Sequence, residues 1–320
     1  MSAWRPSAAI GALRTRAAML ARAREFFAER GVLEVETPTL SRCGVTDAQI
    51  ESLATHIAGL DGPFYLGPSP EYPMKRLLAA GCGDIYQICK VFRDGERGRW
   101  HNPEFTMVEW YRLNTDDAAL MDEVEQFVGC LLAPRRALAP AERLSYAAAL
   151  ARHAGVDAHR ADPDELAAAA ARHGIVCDAS LDRDAALDLL MGLVVGPKLG
   201  RERPSFICDY PASQAALARL KPGAPPVAAR FEYYLDGVEL ANGFHELCDA
   251  HEQKARFLND LRTRRARGLP EPRIDERLLA ALDEGLPDCA GVALGFDRLA
   301  AIAVGAKSLR DAMAFSIDEA

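Results

Sequence analysis

At 320 residues, with 49% hydrophobic content and a formal net charge of -8, the chain can bury a large core and is not a disordered polyelectrolyte. The acidic balance excludes a general polyanion binder, because nucleic-acid affinity rests on basic surface, and no apolar run approaches the roughly 20 residues of a membrane helix. The eight cysteines, Cys43, Cys82, Cys89, Cys130, Cys177, Cys208, Cys248 and Cys289, form no CxxC pair and read as reduced, mostly buried thiols of a cytoplasmic chain.

The Arg- and Ala-rich start has no acid before Glu25, as a transit peptide would, but it runs on into Glu29 and Gly31. It therefore reads as a first helix over about 10–30, with Leu13, Ala17, Leu20, Arg24 and Phe27 at helical spacing. VLEVETPTL follows as an extended run closed by Pro38, and residues 41–63 read as surface loop. SPEYPMKRLLAAG (69–81) predicts a helix with Ser69 as its N-cap and Met74, Leu77 and Leu78 as its apolar stripe. DIYQICKVFR and EFTMVEWY alternate as strands, joined into an antiparallel hairpin by a long loop from Asp94 to Pro103.

Residues 115–200 are helical and Ala-rich with no evident chemistry, and His153, His159 and His173 read as ordinary surface residues. VAARFEYYL and VELANGF form a second hairpin about Asp236-Gly237, Asp249 and Glu252 suit a capping box, and PDCAGVALGFDRLAAIAVG passes from strand to helix near Asp297. The pattern is α+β, an antiparallel β-sheet flanked by helices. Neither GxxxxGK[ST] nor GxGxxG occurs.

In the second hairpin, Leu235 pairs with Val238 and Tyr234 with Glu239, so Glu232 and Glu239 share a face. Two readings stand: a Mg²⁺ site, or a solvated acidic face. Glu246 has the wrong parity and joins them only through a bulge around Gly243. In the first hairpin, Arg93, Arg97, Arg99 and His101 are either donors gathered around phosphate or a solvated basic tip. Phe105, Met107, Glu109 and Tyr111 share one strand face, which lines a pocket or belongs to the core. Gly291 and Gly295 permit close approach to the last strand. Arg298, placed against the helix dipole, points to a ligand or to a salt bridge with Asp297 or Glu319.

FFAERGVLEVETPTL (motif 1, about 24–38), FRDGERGRWHNPEFTMVEWY (motif 2, 92–111) and GVALGFDR (motif 3, 291–298) together resemble the signature set of class II aminoacyl-tRNA synthetases. SPEYPMKR, HNPEFTMVEWY and ELANGFHEL are similar to the lysyl branch. Motif 1 begins within about 30 residues of the start, which leaves no room for an OB-fold anticodon-binding domain. With WRPSA and FSIDEA, this is most similar to the elongation factor P β-lysine ligase family. The resemblance implies one class II catalytic domain over 1–320, a homodimer, and no action on tRNA or membrane. The implied reaction activates (R)-β-lysine, or less well α-lysine, with ATP and Mg²⁺ and transfers it to a lysine of elongation factor P. A truncated lysyl-tRNA synthetase and a non-catalytic lysine- or ATP-sensing paralogue are the alternatives.

The resemblance also implies roles. Arg93 would be catalytic at the α-phosphate, and Phe105 and Arg298 would sandwich adenine. Asp94, Gly95, Glu96, His101, Asn102, Glu239, Leu240 and Gly295 would complete the ATP site, with Glu232 and Glu239 on Mg²⁺. Ser69, Pro70, Glu71, Tyr111, Asn242, Glu246 and Ala293 would bind the amino acid, Glu71 taking its α- or β-ammonium and Glu246 with Tyr111 its ε-ammonium. The chain departs from the lysyl pattern at Gly95, where a glutamate belongs and Glu96 follows. It departs again at Ala241 and Ala293, where glycines belong, each expected to add a methyl group beside the amino-acid pocket.

Overall fold

The computed structural model describes residues 4–133, 135–176 and 181–320, so Cys177 lies outside the described residues. The first helix, α1, spans Ile10–Ala28 and ends where Gly31 takes a φ of 65°, a left-handed conformation that costs glycine little. Its buried face is Thr15, Met19, Ala23, Phe26 and Phe27, not the expected Leu13–Ala17–Leu20–Arg24 stripe. Phe26 and Phe27 both pack on Phe127, and one residue step turns a helix by about 100°, so the adjacent rings set its rotation.

The extended run after α1 yields β1 (Leu33–Glu34) and β2 (Leu40–Ser41), followed by β3 (Ala54–Thr55) and β4 (Phe64–Leu66). Strands β2, β4 and β3 make a small three-stranded sheet. The segment expected as surface loop is partly interior: Thr46 and Ser52 are buried, and Val45, Asp47 and Ile50 reach the cavity described below. Next come α2 (Glu71–Ala79), β5 (Ile85–Phe92), β6 (Glu104–Leu113) and α3 (Asp117–Leu132). Ser69 lies one position before the α2 cap, where its hydroxyl accepts from the Glu71 amide.

The Ala-rich region supplies α4 (Tyr146–Ala154), α5 (Pro163–Arg172) and α6 (Arg183–Leu190), and also a strand, β7 (Glu142–Ser145), that alternation does not announce. Then follow β8 (Ser205–Pro211), β9 (Leu220–Lys221), β10 (Val227–Leu235), β11 (Val238–His245), α7 (Ala250–Ala266), α8 (Glu276–Gly285), β12 (Cys289–Gly295) and α9 (Phe296–Ala303). The Asp249 carboxylate caps α7 through the His251 and Glu252 amides, while Glu252 bonds Arg256, so half of the expected box forms.

The main sheet has nine strands in the order β1-β5-β6-β12-β11-β10-β8-β7, with β9 on β10. Its centre is antiparallel as expected, but both outer pairs, β1 with β5 and β7 with β8, are parallel. The principal core joins α1, α3 and α9 to one sheet face around Trp110, Phe127, Phe231 and Phe296. A second cluster packs α4–α6 on β8, and a third holds α2 against α8 through Met74, Leu78, Leu278 and Leu282. The described cysteines are all free thiols, but only Cys289 among them is fully buried, Cys130 is exposed and the others are half-buried. Among the described residues no helix is long and apolar enough to cross a membrane.

The β10–β11 hairpin positions the site. Leu235 pairs with Val238 and Tyr234 with Glu239 across a turn in which Asp236 and Gly237 have φ of 55° and 77°, the two left-handed residues of a tight hairpin turn. Tyr233 then pairs with Ala241, so Leu240 is an extra residue and the register shifts there. This bulge lies earlier than the expected one at Gly243. It corrects the parity of Glu246 all the same, because one inserted residue flips every later side chain.

Candidate active site

Strands β6, β11 and β12, with α2 and the start of α9, enclose a cavity of about 230 Å³ whose two ends differ in charge: two arginines interleaved with two glutamates line one, and the charged groups lining the other are carboxylates alone. One end is lined by Arg93, Glu96, His101, Asn102, Phe105, Glu239, Leu240, Gly295 and Arg298, the other by Ser69, Glu71, Glu109, Tyr111, Asn242, Glu246 and Ala293.

At the cationic end, the Arg93 guanidinium lies 5.3 Å from the Phe105 ring centroid and 3.4 Å from Glu96. Arg298 donates to the carbonyls of Trp100 and Glu239 and meets His101 Nε2 at 2.9 Å. The two expected salt-bridge partners are taken elsewhere, Asp297 by Arg16 and the Thr106 amide and Glu319 by Ser7, Ser316 and Arg310, and Arg298 lies instead 3.9 Å from Glu239 Oε2. Burial and the neighbouring Arg298 lower the His101 pKa. Arg97 and Arg99 leave the site: Arg97 pairs with Asp318, and Arg99 donates to the Lys307 carbonyl. They fasten the loop to the C-terminal segment, as does Asn102, whose side-chain oxygen accepts from the Ile317 amide.

Asp94 and Gly95 are also absent from the cavity wall. Gly95 has a φ of 74° and its amide donates to Asp94 Oδ1. A glycine serves a left-handed turn there, and that turn brings Glu96, not position 95, to the wall. Gly295 lines the cavity where a Cβ would meet only ordinary contacts, the nearest being Arg298 at 3.7 Å. At Gly291, by contrast, a Cβ would lie 2.2 Å from the Tyr111 ring and 2.6 Å from Glu246 Oε1.

Of the two carboxylates expected on Mg²⁺, Glu239 faces the cavity and Glu232 does not. Glu232 Oε1 holds Arg230 at 2.6 Å and its Oε2 accepts from the Tyr234 hydroxyl at 2.6 Å. Partial removal from water, then the negative charge of Glu232, pushes the Glu239 carboxyl up to about 7 against the lowering effect of Arg298, although the side chain is still 41% exposed. An acid so repelled by its neighbour gains from a cation, so Glu239 fits a metal, whereas Glu232 is already compensated by Arg230. No group of three or more candidate metal ligands occurs among the described residues.

The acidic end is deeper. Glu109 accepts from the Ser69 hydroxyl at 2.8 Å and the Tyr111 hydroxyl at 2.7 Å. Burial, then the charge of Glu71, raises its carboxyl to about 8 despite those two bonds. Glu246 is raised to about 7, mainly by burial, with Lys75 opposing the shift. Lys75 is 2.7 Å from both Glu71 and Glu246, yet Glu246 Oε2 has no donor aligned for a hydrogen bond. Pro70 only caps α2. Ala293 pairs with Glu109 and Asn242 on the cavity wall, but Ala241 faces the core and adds no methyl group to the pocket.

Three residues of the site had no role assigned from sequence: Glu109, Lys75 and Arg230. Each carried a spacing signal, since Glu109 is two residues before Tyr111 on one strand face, Lys75 is four after Glu71 on a helix, and Arg230 is two before Glu232.

The chain matches the family model described as tRNA synthetases class II (D, K and N) over residues 2–319. The proteins named elongation factor P–(R)-β-lysine ligase from Salmonella dublin and Salmonella paratyphi B are each 51% identical to it over 325 residues. Each alignment covers 99% of this chain and 98% of the relative.

Proposed function

The chain belongs to the class II (D, K and N) tRNA synthetase family together with these ligases, and from that premise we propose that it activates β-lysine, or less well α-lysine, with ATP. The aminoacyl group then passes to a lysine of elongation factor P. The observation that carries this reading is the asymmetry of this cavity, which has Arg93, Arg298 and an aromatic ring, beside Glu96 and Glu239, at one end and three carboxylates at the other. A nucleotide fits the first and a diamino acid the second.

In the first step a substrate carboxylate oxygen attacks the α-phosphorus of ATP, the bond to the bridging oxygen breaks, and pyrophosphate leaves. Arg93 is placed to stabilise the charge that develops on the α-phosphate, which preorganised cations do best in a water-poor cleft. Phe105 and Arg298 offer an aromatic face and a cationic face to adenine, and Glu96 takes the edge contact that Gly95 has no side chain to make. His101 and Asn102 flank the phosphates. Mg²⁺, carried by Glu239 with Glu232 behind it, would neutralise phosphate charge when bound. At the other end Glu71 and Glu109 face the α- or β-ammonium, and Glu246 beside Tyr111 faces the ε-ammonium.

In the second step the acceptor ε-amine attacks the activated carbonyl carbon, its carbon–oxygen bond to AMP breaks, and the amine proton is lost. Most of the rate comes from positioning and charge stabilisation. Exposed Leu33 in motif 1 and Leu40 just after it support a homodimer through this segment, and the net charge of -8 weighs against tRNA as the acceptor. The test incubates the protein with ATP and elongation factor P, supplying α- and β-lysine separately, and reads the acceptor by mass spectrometry. A gain of one lysyl group, larger with β-lysine, is expected. No gain with either isomer, or label moving to tRNA instead, overturns the reading.

A further inference from the structure

The acidic end of the cavity contains a cation of its own. Lys75 lies one turn along α2 from Glu71, its side chain 1% exposed, with Nζ 2.7 Å from Glu71 Oε1 and 2.7 Å from Glu246 Oε2. Burying an ammonium is costly unless it is paired, and an apolar residue of similar volume would fill the same space without that cost. Burial alone would lower its pKa, but Glu246 and Glu71 outweigh burial and keep it protonated.

The contacts divide the carboxylates. Each gives one oxygen to Lys75, which leaves Glu71 Oε2 and Glu246 Oε1 for another partner. Glu246 Oε1 lies over Gly291 beside the Tyr111 ring, where no Cβ would fit. The other titratable groups around this pair are Tyr72 on α2, Glu109 and Tyr111 on β6, Cys248 after β11, Cys289 on β12, and Arg219, which lowers the Glu246 pKa from outside the cavity. Of these, Arg219 is the one other cation, and its guanidinium is held by the Glu246 carbonyl and Asp288, not by the Glu246 carboxylate.

We propose that Lys75 is a positioning residue for the amino-acid substrate: it holds one oxygen of Glu71 and one of Glu246 and supplies the counter-charge between them, so that a diammonium ligand meets two carboxylates already aimed at it. This rests on the reading of the acidic end as the amino-acid site. Without Lys75 the Glu246 carboxyl would lose the charge that opposes its burial and would hold a proton more readily, and binding a dication would then expel that proton. Apparent affinity would therefore worsen as pH falls and recover as it rises.

The test is ATP–pyrophosphate exchange with the lysine isomer that the wild-type protein prefers, across about pH 6.5 to 8.5. Lys75→Met is expected to raise the amino-acid KM at least about tenfold at the acid limit, with the gap narrowing to about threefold at the alkaline limit. The loss should fall on KM more than on kcat, and Lys75→Arg should keep the wild-type pH slope. A gap that is constant with pH, or one confined to kcat, overturns the proposal and leaves Lys75 a structural residue. Should Lys75→Met not fold, calorimetry of lysine binding to the wild-type protein in two buffers of different ionisation enthalpy decides it. At about pH 7.5, release of no more than about one proton is expected, from Glu109, and release of two or more overturns it. Wild-type exchange with neither isomer sinks the site assignment itself, whereas normal exchange with an unaltered Lys75→Met pH profile sinks only the role of Lys75.

Discussion

The two ends of the cavity hold their charges in different ways. At the cationic end the side chains of Arg93, Arg298 and Glu239 are 25%, 22% and 41% exposed, and they come from a strand end, a helix start and the second residue of β11. At the acidic end Glu246 and Lys75 are each 1% exposed and Glu109 is 2% exposed, Lys75 within a helix, Glu109 within a strand and Glu246 just past the end of β11. Partly hydrated cations attract a polyanion at long range and are screened by salt. Buried carboxylates act only on a ligand that enters, and there each unpaired charge is expensive. The first end suits a nucleotide that many proteins share, the second a small molecule that must be told from its near relatives.

The largest expected effect falls on the cationic end. Arg93→Ala should lower the rate of adenylate formation about 10²- to 10³-fold, the usual cost of losing one preorganised donor to transition-state charge. The measurement is pyrophosphate exchange at saturating ATP and lysine, and a loss confined to KM would show that Arg93 binds ground and transition states alike. Glu246→Gln comes next. It keeps the shape but removes the charge facing the ε-ammonium, worth about 1.5 to 3 kcal/mol for a hydrogen bond to a charged group, so the lysine KM should rise about 10- to 100-fold while the ATP KM stays within about threefold.

Acidity separates the two ends without mutation. Glu109 and Glu246 titrate at about 8 and about 7, so they gain protons as pH falls through this window and lose their attraction for ammonium groups. The lysine KM should rise about tenfold from about pH 8 to about pH 6, and the ATP KM, set mainly by arginines that stay charged, should rise less. Stability of the ligand-free protein runs the other way. Folded-state pKa values raised above the unfolded value of about 4.3 mean that the native state binds more protons. The contribution of these two acids to stability is therefore fully present below that value and is lost as pH rises through 7–8. A melting temperature that climbs over this range would contradict the burial assigned to the two acids.

The sequence made the strand hairpins legible because their turn and alternation are local. Asp236-Gly237 sets the Tyr234–Glu239 pairing, and the face shared by Phe105, Met107, Glu109 and Tyr111 does line the cavity. What alternation could not show is where a bulge falls. Gly243 is the obvious weak point, but its missing Cβ is needed for Phe231, whose ring would lie 2.4 Å away, and the extra residue is Leu240 instead. Depth was equally illegible. Glu109 was visible on the right face with no sign that it is 2% exposed, and nothing in the α2 sequence marks Lys75 as buried. The strand Ser205–Pro211 escaped because it is an unpatterned apolar run, as a strand covered on both faces tends to be.

A smaller effect should follow at Ala293. Its methyl group is the one lysyl-pattern departure that reaches the cavity, so Ala293→Gly should shift the ratio of α- to β-lysine activation towards α-lysine, by about tenfold at most for one methyl-sized change. An unchanged ratio would show that the shape of the acidic end, and not this methyl group, sets the isomer preference.

The smallest effect tests whether the basic loop acts as a unit. Arg93, Arg97 and Arg99 lie within seven residues, and a phosphate clamp built from all of them would lose affinity at each substitution. The structure divides them. Arg97 is 70% exposed and paired with Asp318, itself 53% exposed, and such pairs are worth at most about 1 kcal/mol. Arg97→Ala should therefore leave the ATP KM within about twofold and lower stability by less than about 1 kcal/mol, whereas Arg93→Ala abolishes most activity. If Arg97→Ala instead raised the ATP KM tenfold, the loop would have to close over the nucleotide with Arg97 released from Asp318, and the contrast between a partly exposed cationic end and a buried acidic one would sharpen into a difference of mechanism.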